Sequence, residues 1–243
     1  MKNVLCAVSY KGTNYAGWQK QDNALGIQEV IENAFFDCTG ERVEIFASGR
    51  TDAGVHALEQ CFSVKTKFAQ IERLPMALNH LLPNDIRILW AKEVPNDFHA
   101  RFSAHKKTYL YRLKTSEIES PFDFDTTAYI DYSISLEKMK EASKYFIGEH
   151  NFKSFCSAGT SVPTFERIIY SLNITKTGNL YEFEVCGNGF LYNMVRIIVG
   201  TLVDVGGGKI KTSQVEEIIN SQDRQKAGKT MPAKGLTLKC VEY

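Results

Sequence analysis

A single carboxylate, Asp52, lies in a glycine-bracketed segment, residues 48–57, between two runs of extended character. The flanking runs, residues 43–47 and 61–64, are apolar or alternating, which predicts two strands joined by a loop. The two glycines of the segment allow backbone angles that other residues rarely adopt, so the loop can present Arg50 and Asp52 to a ligand. Such a carboxylate is suited to acid–base or covalent catalysis. An ordinary turn with a solvated ion pair is the alternative, because Asp often occupies turns.

The other groups that could do chemistry are scattered along the chain. Six cysteines include no C-x-x-C pair and five histidines include no H-x-x-x-H pair, which argues against structural zinc and a redox motif. Three glycines precede Lys209, but a P-loop would need a further glycine at position 203 and a Ser or Thr in place of Ile210. We therefore expect buried free thiols, no metal ion and no small-molecule cofactor.

Length and composition suit a large globular protein. The 243 residues, 44% of them hydrophobic, are enough for one large unit or two closely joined halves. No uninterrupted apolar run approaches the length that crosses a bilayer, and the first residues lack the long apolar region of a secretory signal. The sequence therefore predicts a cytoplasmic protein that does not associate with a membrane.

The formal net charge is only +1, but the cations are unevenly distributed. Between residues 101 and 114 five cations and no acid are interleaved with aromatic residues, a combination that suits RNA binding. A solvated strand face is the alternative for this segment. A second, weaker basic group lies between residues 209 and 239. The five cations are Arg101, Lys106, Lys107, Arg112 and Lys114, and the aromatic residues are Phe102, Tyr109 and Tyr111.

Hydrophobic periodicity predicts the order β-α-β-β-α-β for the first half of the chain, which is ferredoxin-like order. The predicted elements are strand 3–9, helix 26–38, strands 43–48 and 59–66, helix 70–80 and strand 86–93.

The second half also reads as α+β. The best boundary between the halves lies around residues 93–101, so we divide the chain into residues 1–95 and 96–243. No flexible linker lies there, which favours halves that share a continuous sheet. We expect an α+β fold of two ferredoxin-like, RRM-like halves that share a mixed, mainly antiparallel sheet, with helices on one side and a central cleft. The predicted elements of the second half are strand 108–115, helix 135–147, strands 165–176 and 180–187, helices 189–205 and 212–220, and strand 236–242.

Four segments resemble, in order and spacing, the motifs of the tRNA pseudouridine synthase A family. One is the loop itself, G-R-T-D-A-G-V-H-A at residues 49–57. The others are Y-K-G-T-N-Y-A-G-W-Q-K-Q at 10–21, F-H-A-R-F-S-A at 98–104 and G-F-L-Y-N-M-V-R at 189–196. The resemblance spans nearly the whole chain, and four collinear motifs are much harder to meet by chance than one short loop.

The resemblance implies an isomerase that needs no cofactor. Such an enzyme cleaves the bond between N1 of uracil and the ribose, rotates the retained base and joins its C5 to the same sugar carbon. The resemblance assigns the role of catalytic carboxylate to Asp52. The residues leave three courses open: addition of the carboxylate at C1′, removal of the 2′ proton to give a glycal, and addition to the uracil ring.

The resemblance also implies roles for residues outside the loop. A carboxylate in a closed pocket needs a nearby cation to stay ionised, and the family places a basic partner at Arg196. Arg50 is expected to contact the RNA and to help hold the target nucleotide out of its strand. Tyr109 is expected to stack on the uracil. The remaining expected contacts are Phe190 and Leu191 as pocket lining, Arg101, Lys106 and Lys107 as RNA-backbone contacts, and Tyr111 as a core residue or a second cleft residue.

The substrate and assembly that the resemblance implies are a tRNA and a homodimer. The RNA would lie in the central cleft, and the targets would be uridines at tRNA positions 38–40 in the anticodon arm. This sequence departs from the family pattern at Glu59, Ser63 and Thr108, which puts the range of target sites in doubt. Two readings from other classes stay open: a non-catalytic RNA-binding module, and a hydrolase that releases free uracil.

Overall fold

The computed structural model describes residues 1–159 and 162–243. Each half of the chain carries both helices and strands, so the predicted α+β class is confirmed. In chain order the elements are β1 (Lys2–Tyr10), α1 (Ile27–Thr39), β2 (Ile45–Ala47), β3 (His56–Thr66), α2 (Leu74–Leu81), β4 (Ile86–Val94), β5 (Lys106–Thr115), β6 (Ala128–Ile130), α3 (Leu136–Ser143), β7 (Gly148–Asn151), β8 (Glu166–Thr177), β9 (Leu180–Gly187), α4 (Met194–Gly206), α5 (Gln214–Ser221) and β10 (Leu236–Glu242).

The chain divides into two compact units. The first contains residues 1–105 together with 237–243, and the second contains residues 106–236. The last strand, which the division at residue 95 assigns to the C-terminal half, is therefore grouped with the first unit.

The first unit has the predicted β-α-β-β-α-β order. Its sheet runs β4-β1-β3 with antiparallel pairing, β2 pairs antiparallel with β3, and β10 runs parallel to the start of β3. Helix α1 buries Ile27, Ile31, Ala34 and Phe35, which recur at helical spacing, and it contacts α2. It ends at Gly40, whose φ of 72° is the left-handed conformation that glycine adopts without strain.

The second unit is built on the strands β5, β9, β8 and β7, which pair antiparallel in that order, and β6 runs parallel to β5. Helix α4 contacts α3 and β5, and nearly all of its residues are buried. Because both faces of α4 are apolar, it forms the centre of this unit's core.

Two predicted helices are shorter than expected. The helix predicted at 189–205 begins only at Met194, because Asn193 takes a left-handed conformation with φ of 61° and residues 189–193 form a loop. The helix predicted at 135–147 ends at Ser143 and continues as a 3-10 turn, Lys144–Phe146. None of the helices in the described residues is long and apolar enough to cross a lipid bilayer.

Helix α4 crosses the segment after α5 at a contact between two glycines. A Cβ on Gly200 would lie 1.8 Å from the carbonyl oxygen of Lys229, and a Cβ on Gly228 would lie 2.5 Å from the backbone nitrogen of Thr201. The Thr201 hydroxyl also accepts a hydrogen bond from the backbone N–H of Gly228, at 2.9 Å. The segment that follows, including Met231, therefore lies directly against the helix.

We predict that Gly200→Ala lowers the free energy of unfolding by about 3 kcal/mol or more, since the obstruction is backbone and cannot rotate away. Alanine in an unobstructed helix is ordinarily more favourable than glycine, by roughly 0.5–1 kcal/mol. Gly207→Ala is the control, because its Cβ would meet its nearest neighbour at 3.4 Å, an ordinary contact. Urea unfolding of the two variants measures the difference in their free energies of unfolding. Equal unfolding midpoints would contradict the close contact between helix α4 and the segment after α5.

Candidate active site

The segment from Ser48 to Val55 is a loop between two antiparallel strands, as predicted: β2 pairs with β3 through Ile45 and Val64. The loop turns tightly after Asp52, whose carbonyl oxygen accepts a hydrogen bond from the N–H of Val55 at 3.1 Å. Gly54 takes a φ of 76° in this turn. Asp52 is half-buried, so its carboxylate is partly shielded from water, whereas Arg50 is exposed to solvent.

The N-terminal motif at residues 10–21 holds this loop in place. The N–H of Trp18 donates to the carbonyl of Thr51 at 3.0 Å, and the N–H of Gly54 donates to the carbonyl of Tyr15 at 3.3 Å. The hydroxyls of Tyr10 and Thr51 are hydrogen-bonded at 2.8 Å. These hydrogen bonds reach Thr51 before Asp52 and Gly54 after it. The N-terminal motif therefore fixes the backbone that carries Asp52.

Two glycines of the same motif explain how the segments approach so closely. A Cβ on Gly12 would lie 2.0 Å from the carbonyl oxygen of Val55, and a Cβ on Gly17 would lie 2.6 Å from that of Thr51. Gly17 also has a φ of 92°. The N–H of Gly12 donates to Nδ1 of His56 at 3.0 Å. His56 is therefore part of the support of the loop, in line with its interpretation as a loop residue.

The other arm of the loop is held by Gln60. This side chain is fully buried; its amide donates to the carbonyl of Gly49 at 2.7 Å, and its oxygen is hydrogen-bonded to the Ser48 hydroxyl. Next to it, burial raises the pKa of the Cys61 thiol to about 12, and the nearby Glu59 adds to the shift. A thiol of this kind stays protonated, so Cys61 does not serve as a nucleophile. All six cysteines are free, and three of them are buried.

In the second unit, Tyr109 lies on β5 and contacts Phe190. Their ring centroids are 5.1 Å apart at an interplanar angle of 86°, an edge-to-face contact. Tyr109 and Leu191 are buried, whereas Phe190 is partly exposed. The pocket residues that the sequence predicted for this unit thus include one aromatic pair in direct contact.

Tyr111, two residues further along β5, is a core residue. It is fully buried, and its hydroxyl donates to the carbonyl of Pro232 at 2.8 Å. Burial raises its pKa far above the ordinary range. Of the two predictions for Tyr111, the core position is confirmed.

Arg196 is fixed by its own unit. Its Nε donates to the carbonyl of Met231 at 2.7 Å, and its Nη1 donates to Oδ1 of Asn193 at 2.6 Å. The Asn193 amide in turn donates to the hydroxyl of Ser157 at 2.9 Å. Arg196 is partly buried in the first turn of α4, and its guanidinium is oriented by two acceptors, which a freely solvated surface arginine would lack.

The three residues predicted to contact the RNA backbone differ in exposure. Arg101 is exposed in the first unit, with its guanidinium 5.6 Å from the ring centroid of Phe102. In the second unit, Lys106 is exposed and lies 5.8 Å from the ring centroid of Tyr170, while Lys107 is partly buried. Of the predicted site residues, Tyr109 and Phe190 are in direct contact in the second unit, and Arg50 and Asp52 lie on one loop in the first.

The sequence did not reveal what holds these residues. The glycines Gly12 and Gly17 were visible as parts of a motif, but their contact with the loop is tertiary and leaves no local signal. The same holds for the bond between Arg196 and Met231. Within residues 1–159 and 162–243, no group of three or more His, Cys, Asp or Glu side chains is placed to hold a metal ion.

Comparison with known proteins gives a consistent result. A sequence profile described as tRNA pseudouridine synthase matches residues 6–103 and 142–243. Proteins named tRNA pseudouridine synthase A from Thermoanaerobacter sp. (strain X514) and from Caldicellulosiruptor bescii are each 46% identical over 244 residues, and one from Clostridium acetobutylicum is 43% identical. In all three cases the match covers 100% of both chains.

Among solved structures, the chain is similar to one described as "Crystal Structure of a Cbf5-Nop10-Gar1 Complex". The TM-score is 0.42 at 11% identity, and the match covers 96% of this chain and 57% of that chain. This likeness is too weak to support a functional inference. The sequence relatives are decisive: with matches of this length and identity, the chain belongs to the tRNA pseudouridine synthase family, which makes it an isomerase.

Proposed function

We propose that this chain converts uridine to pseudouridine in the anticodon stem-loop of tRNA, at positions 38–40, with Asp52 as the catalytic carboxylate. The proposal rests on the four motifs, on the relatives named tRNA pseudouridine synthase A, and on one structural observation. That observation is the support of the Asp52 loop by the N-terminal motif, through Trp18, Tyr15 and the close approach of Gly12 and Gly17.

The reaction is an isomerisation and needs no external reactant. The bond between N1 and C1′ breaks, the uracil turns within the site, and a bond forms between C5 and C1′. The proton that C5 loses is balanced by the one that N1 gains. The enzyme must therefore supply a carboxylate at a fixed place and hold the detached base, and it needs no oxidant or energy source.

A fixed loop suits this chemistry, because a carboxylate that is already in place pays little entropy to reach the transition state. The hydrogen bonds to Thr51 and Gly54 fix the backbone on each side of Asp52. Arg50, exposed on the same loop, is proposed to contact the RNA and to help hold the target nucleotide out of its strand. Extruding a nucleotide from its stack costs a few kcal/mol, which such contacts offset.

The base itself is proposed to be held by Tyr109, with Phe190 and Leu191 as lining. An edge-to-face pair such as Tyr109 with Phe190 resists reorientation of either ring, so a stacking surface is ready before the base arrives. Stacking accepts a base in more than one orientation. That tolerance suits a reaction in which the uracil must turn between bond cleavage and bond formation.

The Arg196 guanidinium is proposed as the positive charge that favours the ionised form of the catalytic carboxylate. The hydrogen bonds to Met231 and Asn193 set the direction of the guanidinium. Arg101, Lys106 and Lys107 are proposed as contacts to the RNA backbone. We also propose that the protein acts as a homodimer in the cytoplasm, as the family resemblance implies.

We predict that Asp52→Asn abolishes pseudouridine formation, lowering kcat by at least about 10⁴-fold, since a single catalytic side chain commonly carries an effect of this size. Asn is isosteric, so tRNA binding should persist. The assay is nucleoside analysis of an unmodified tRNA transcript after incubation with native chain or variant. Asp22→Asn, an exposed acid in the same unit, is the matched control and should keep full activity.

The same assay separates the other two classes of function. Release of free uracil would favour the hydrolase, and tight binding without any product from the native chain would favour the RNA-binding module. Mapping the product along the transcript tests the positions: modification elsewhere than at 38–40 would overturn the proposed target while leaving the chemistry intact.

We predict that Arg196→Met lowers kcat by at least about 30-fold while raising the Kd for tRNA much less, because loss of one member of a buried charge pair costs roughly 2–5 kcal/mol. Arg73→Met is the control, since Arg73 is exposed and lies outside both basic groups of the sequence. Single-turnover kinetics over a range of enzyme concentrations give the two quantities separately, the rate constant from the plateau and the Kd from the half-saturating concentration. Unchanged turnover in a folded Arg196→Met protein would remove this residue from the site.

We predict opposite results for two substitutions of Tyr109. Tyr109→Phe keeps the ring and should retain most activity if stacking is the main role, whereas Tyr109→Leu should lower kcat/KM by roughly 5- to 150-fold, the range expected for one stacked base. Each variant is the other's control for folding, because both fill the same buried position. Equal loss in the two variants would assign the effect to the hydroxyl instead.

A further inference from the structure

A row of rings and a guanidinium lies on the surface of the first unit, and neither the motif comparison nor the proposed chemistry uses it as a whole. The ring centroids of Phe46 and His99 are 5.3 Å apart, and those of His99 and Phe102 are 4.5 Å apart. The guanidinium of Arg101 lies 5.6 Å from the ring centroid of Phe102. We call these four residues the ring stack.

The ring stack is exposed. Phe102 is 76% exposed and Phe46 is 43% exposed, although both side chains are large and apolar. Grouped exposed aromatic residues are uncommon on a folded surface that serves no binding purpose, because their burial in the core would be favourable.

The backbone beneath the ring stack is firmly anchored, so its exposure is not that of a loose loop. The N–H of the fully buried Ala100 donates to the hydroxyl of Ser63 at 3.2 Å. The N–H of Ser103 donates to the carbonyl of His99 at 2.9 Å, and the N–H of Arg101 donates to Nδ1 of His99 at 3.1 Å. The turn thus holds the imidazole ring between its two neighbours.

One of the residues that anchor this turn, Ser63, is unusual at its position. It is one of the three positions at which the sequence departs from the family pattern, and its hydroxyl is the acceptor for the turn that carries the ring stack. Asn3 holds the start of the same turn, where its amide donates to the carbonyls of Pro95 and Phe98 at 2.8 and 2.9 Å.

The chemistry of the ring stack matches a nucleobase better than a protein surface. Aromatic rings and an arginine side by side are the groups on which unpaired bases stack, and the guanidinium also attracts the adjoining phosphate. Because the rings are already in place, little conformational entropy is lost when a base arrives.

The distance to the proposed catalytic carboxylate is limited by the chain itself. Phe46 stands six residues before Asp52, so their Cα atoms are at most about 20 Å apart even along a fully extended backbone. A nucleic-acid strand in stacked form advances about 3.4 Å per nucleotide. The Phe102 ring lies two further ring contacts from Phe46, of 5.3 and 4.5 Å, which together with the length of the Phe46 side chain extends the limit. A base on the ring stack and a uridine at Asp52 would therefore be separated by no more than about ten nucleotides in such a strand.

We propose that the ring stack binds an unpaired base of the tRNA substrate, within about ten nucleotides of the target uridine. This inference rests on the proposed function of the Asp52 site and adds a second point of contact with the same RNA. Phe102, the most exposed ring, provides the outer stacking face; Phe46 and His99 support it, and Arg101 contacts the phosphate beside the bound base.

The test compares tRNA affinity among variants of Phe102, each made in the Asp52→Asn background so that the RNA stays unreacted. Phe102→Ala should weaken binding by roughly 5- to 150-fold, the range for loss of one stacked base. Phe102→Trp should bind as tightly as the parent. Phe102→Leu, which keeps apolar volume without a ring face, should behave like Phe102→Ala.

The matched control is Phe36→Ala. Phe36 is 41% exposed and lies beneath Arg42, whose guanidinium is 4.7 Å from its ring centroid, so it is another exposed aromatic–arginine pair in the same unit. It is outside the ring stack, and its loss should leave tRNA affinity unchanged. Because Phe102 is so exposed, its replacement by alanine should also leave the melting temperature close to that of the parent.

A base analogue locates the contact on the RNA. A transcript that carries 2-aminopurine in the anticodon loop, within about ten nucleotides of the target, should lose fluorescence on binding to the parent protein and should keep it on binding to Phe102→Ala. The loss of affinity in Phe102→Ala should be similar at 50 and 200 mM salt, because stacking involves no counterion release, whereas Arg101→Gln should reduce the salt dependence.

Several outcomes would overturn the inference without touching the proposed function. If the native chain forms pseudouridine but Phe102→Ala binds tRNA as tightly as the parent, the ring stack is not an RNA contact. If Phe102→Leu restores affinity, the contact is not base stacking. If Phe102→Ala leaves tRNA affinity unchanged but alters the oligomeric mass of the RNA-free protein in sedimentation, the ring stack is a protein interface.

Discussion

The contact between the N-terminal motif and the Asp52 loop is the constraint on which the rest of the site depends. Gly12 and Gly17 let two backbones approach to a distance that no side chain would permit. The loop can then be held by main-chain hydrogen bonds, such as that from Trp18 to Thr51, in addition to the side-chain hydrogen bonds of Tyr10 and Gln60. A side chain on a loop is normally less precisely positioned than one on a helix or strand, and this packing reduces that disadvantage for Asp52.

The second unit positions its own residues by a related device. Gly200 and Gly228 bring the chain after α5 against helix α4, and the carbonyl of Met231 then accepts the hydrogen bond from Arg196. The same short stretch accepts the hydroxyl of Tyr111 through Pro232. Thus a core tyrosine and a partly buried arginine are both oriented by backbone oxygens of one crossing segment, and glycine contacts set where that segment lies.

Much of the fold could be predicted from periodicity, because apolar residues at helical or alternating spacing are local signals. Helix α1 and strands β1, β4 and β9 begin and end within about two residues of their predicted bounds. The start of α4 was wrong because the left-handed turn at Asn193 depends on contacts with Ser157, which lie far away in sequence. The site residues were found through motifs, whereas the ring stack unites Phe46 with His99 across more than fifty positions and has no local signature.

The hydrogen bond from Gly12 to His56 determines more than the position of the loop. An N–H donor at Nδ1 requires that this nitrogen carry a lone pair, so a neutral His56 bears its hydrogen on Nε2 and is locked into one tautomer. The main chain of the N-terminal segment therefore determines which ring nitrogen of this neutral imidazole carries the hydrogen, and so leaves the Nε2–H as the donor that the ring can offer to another group.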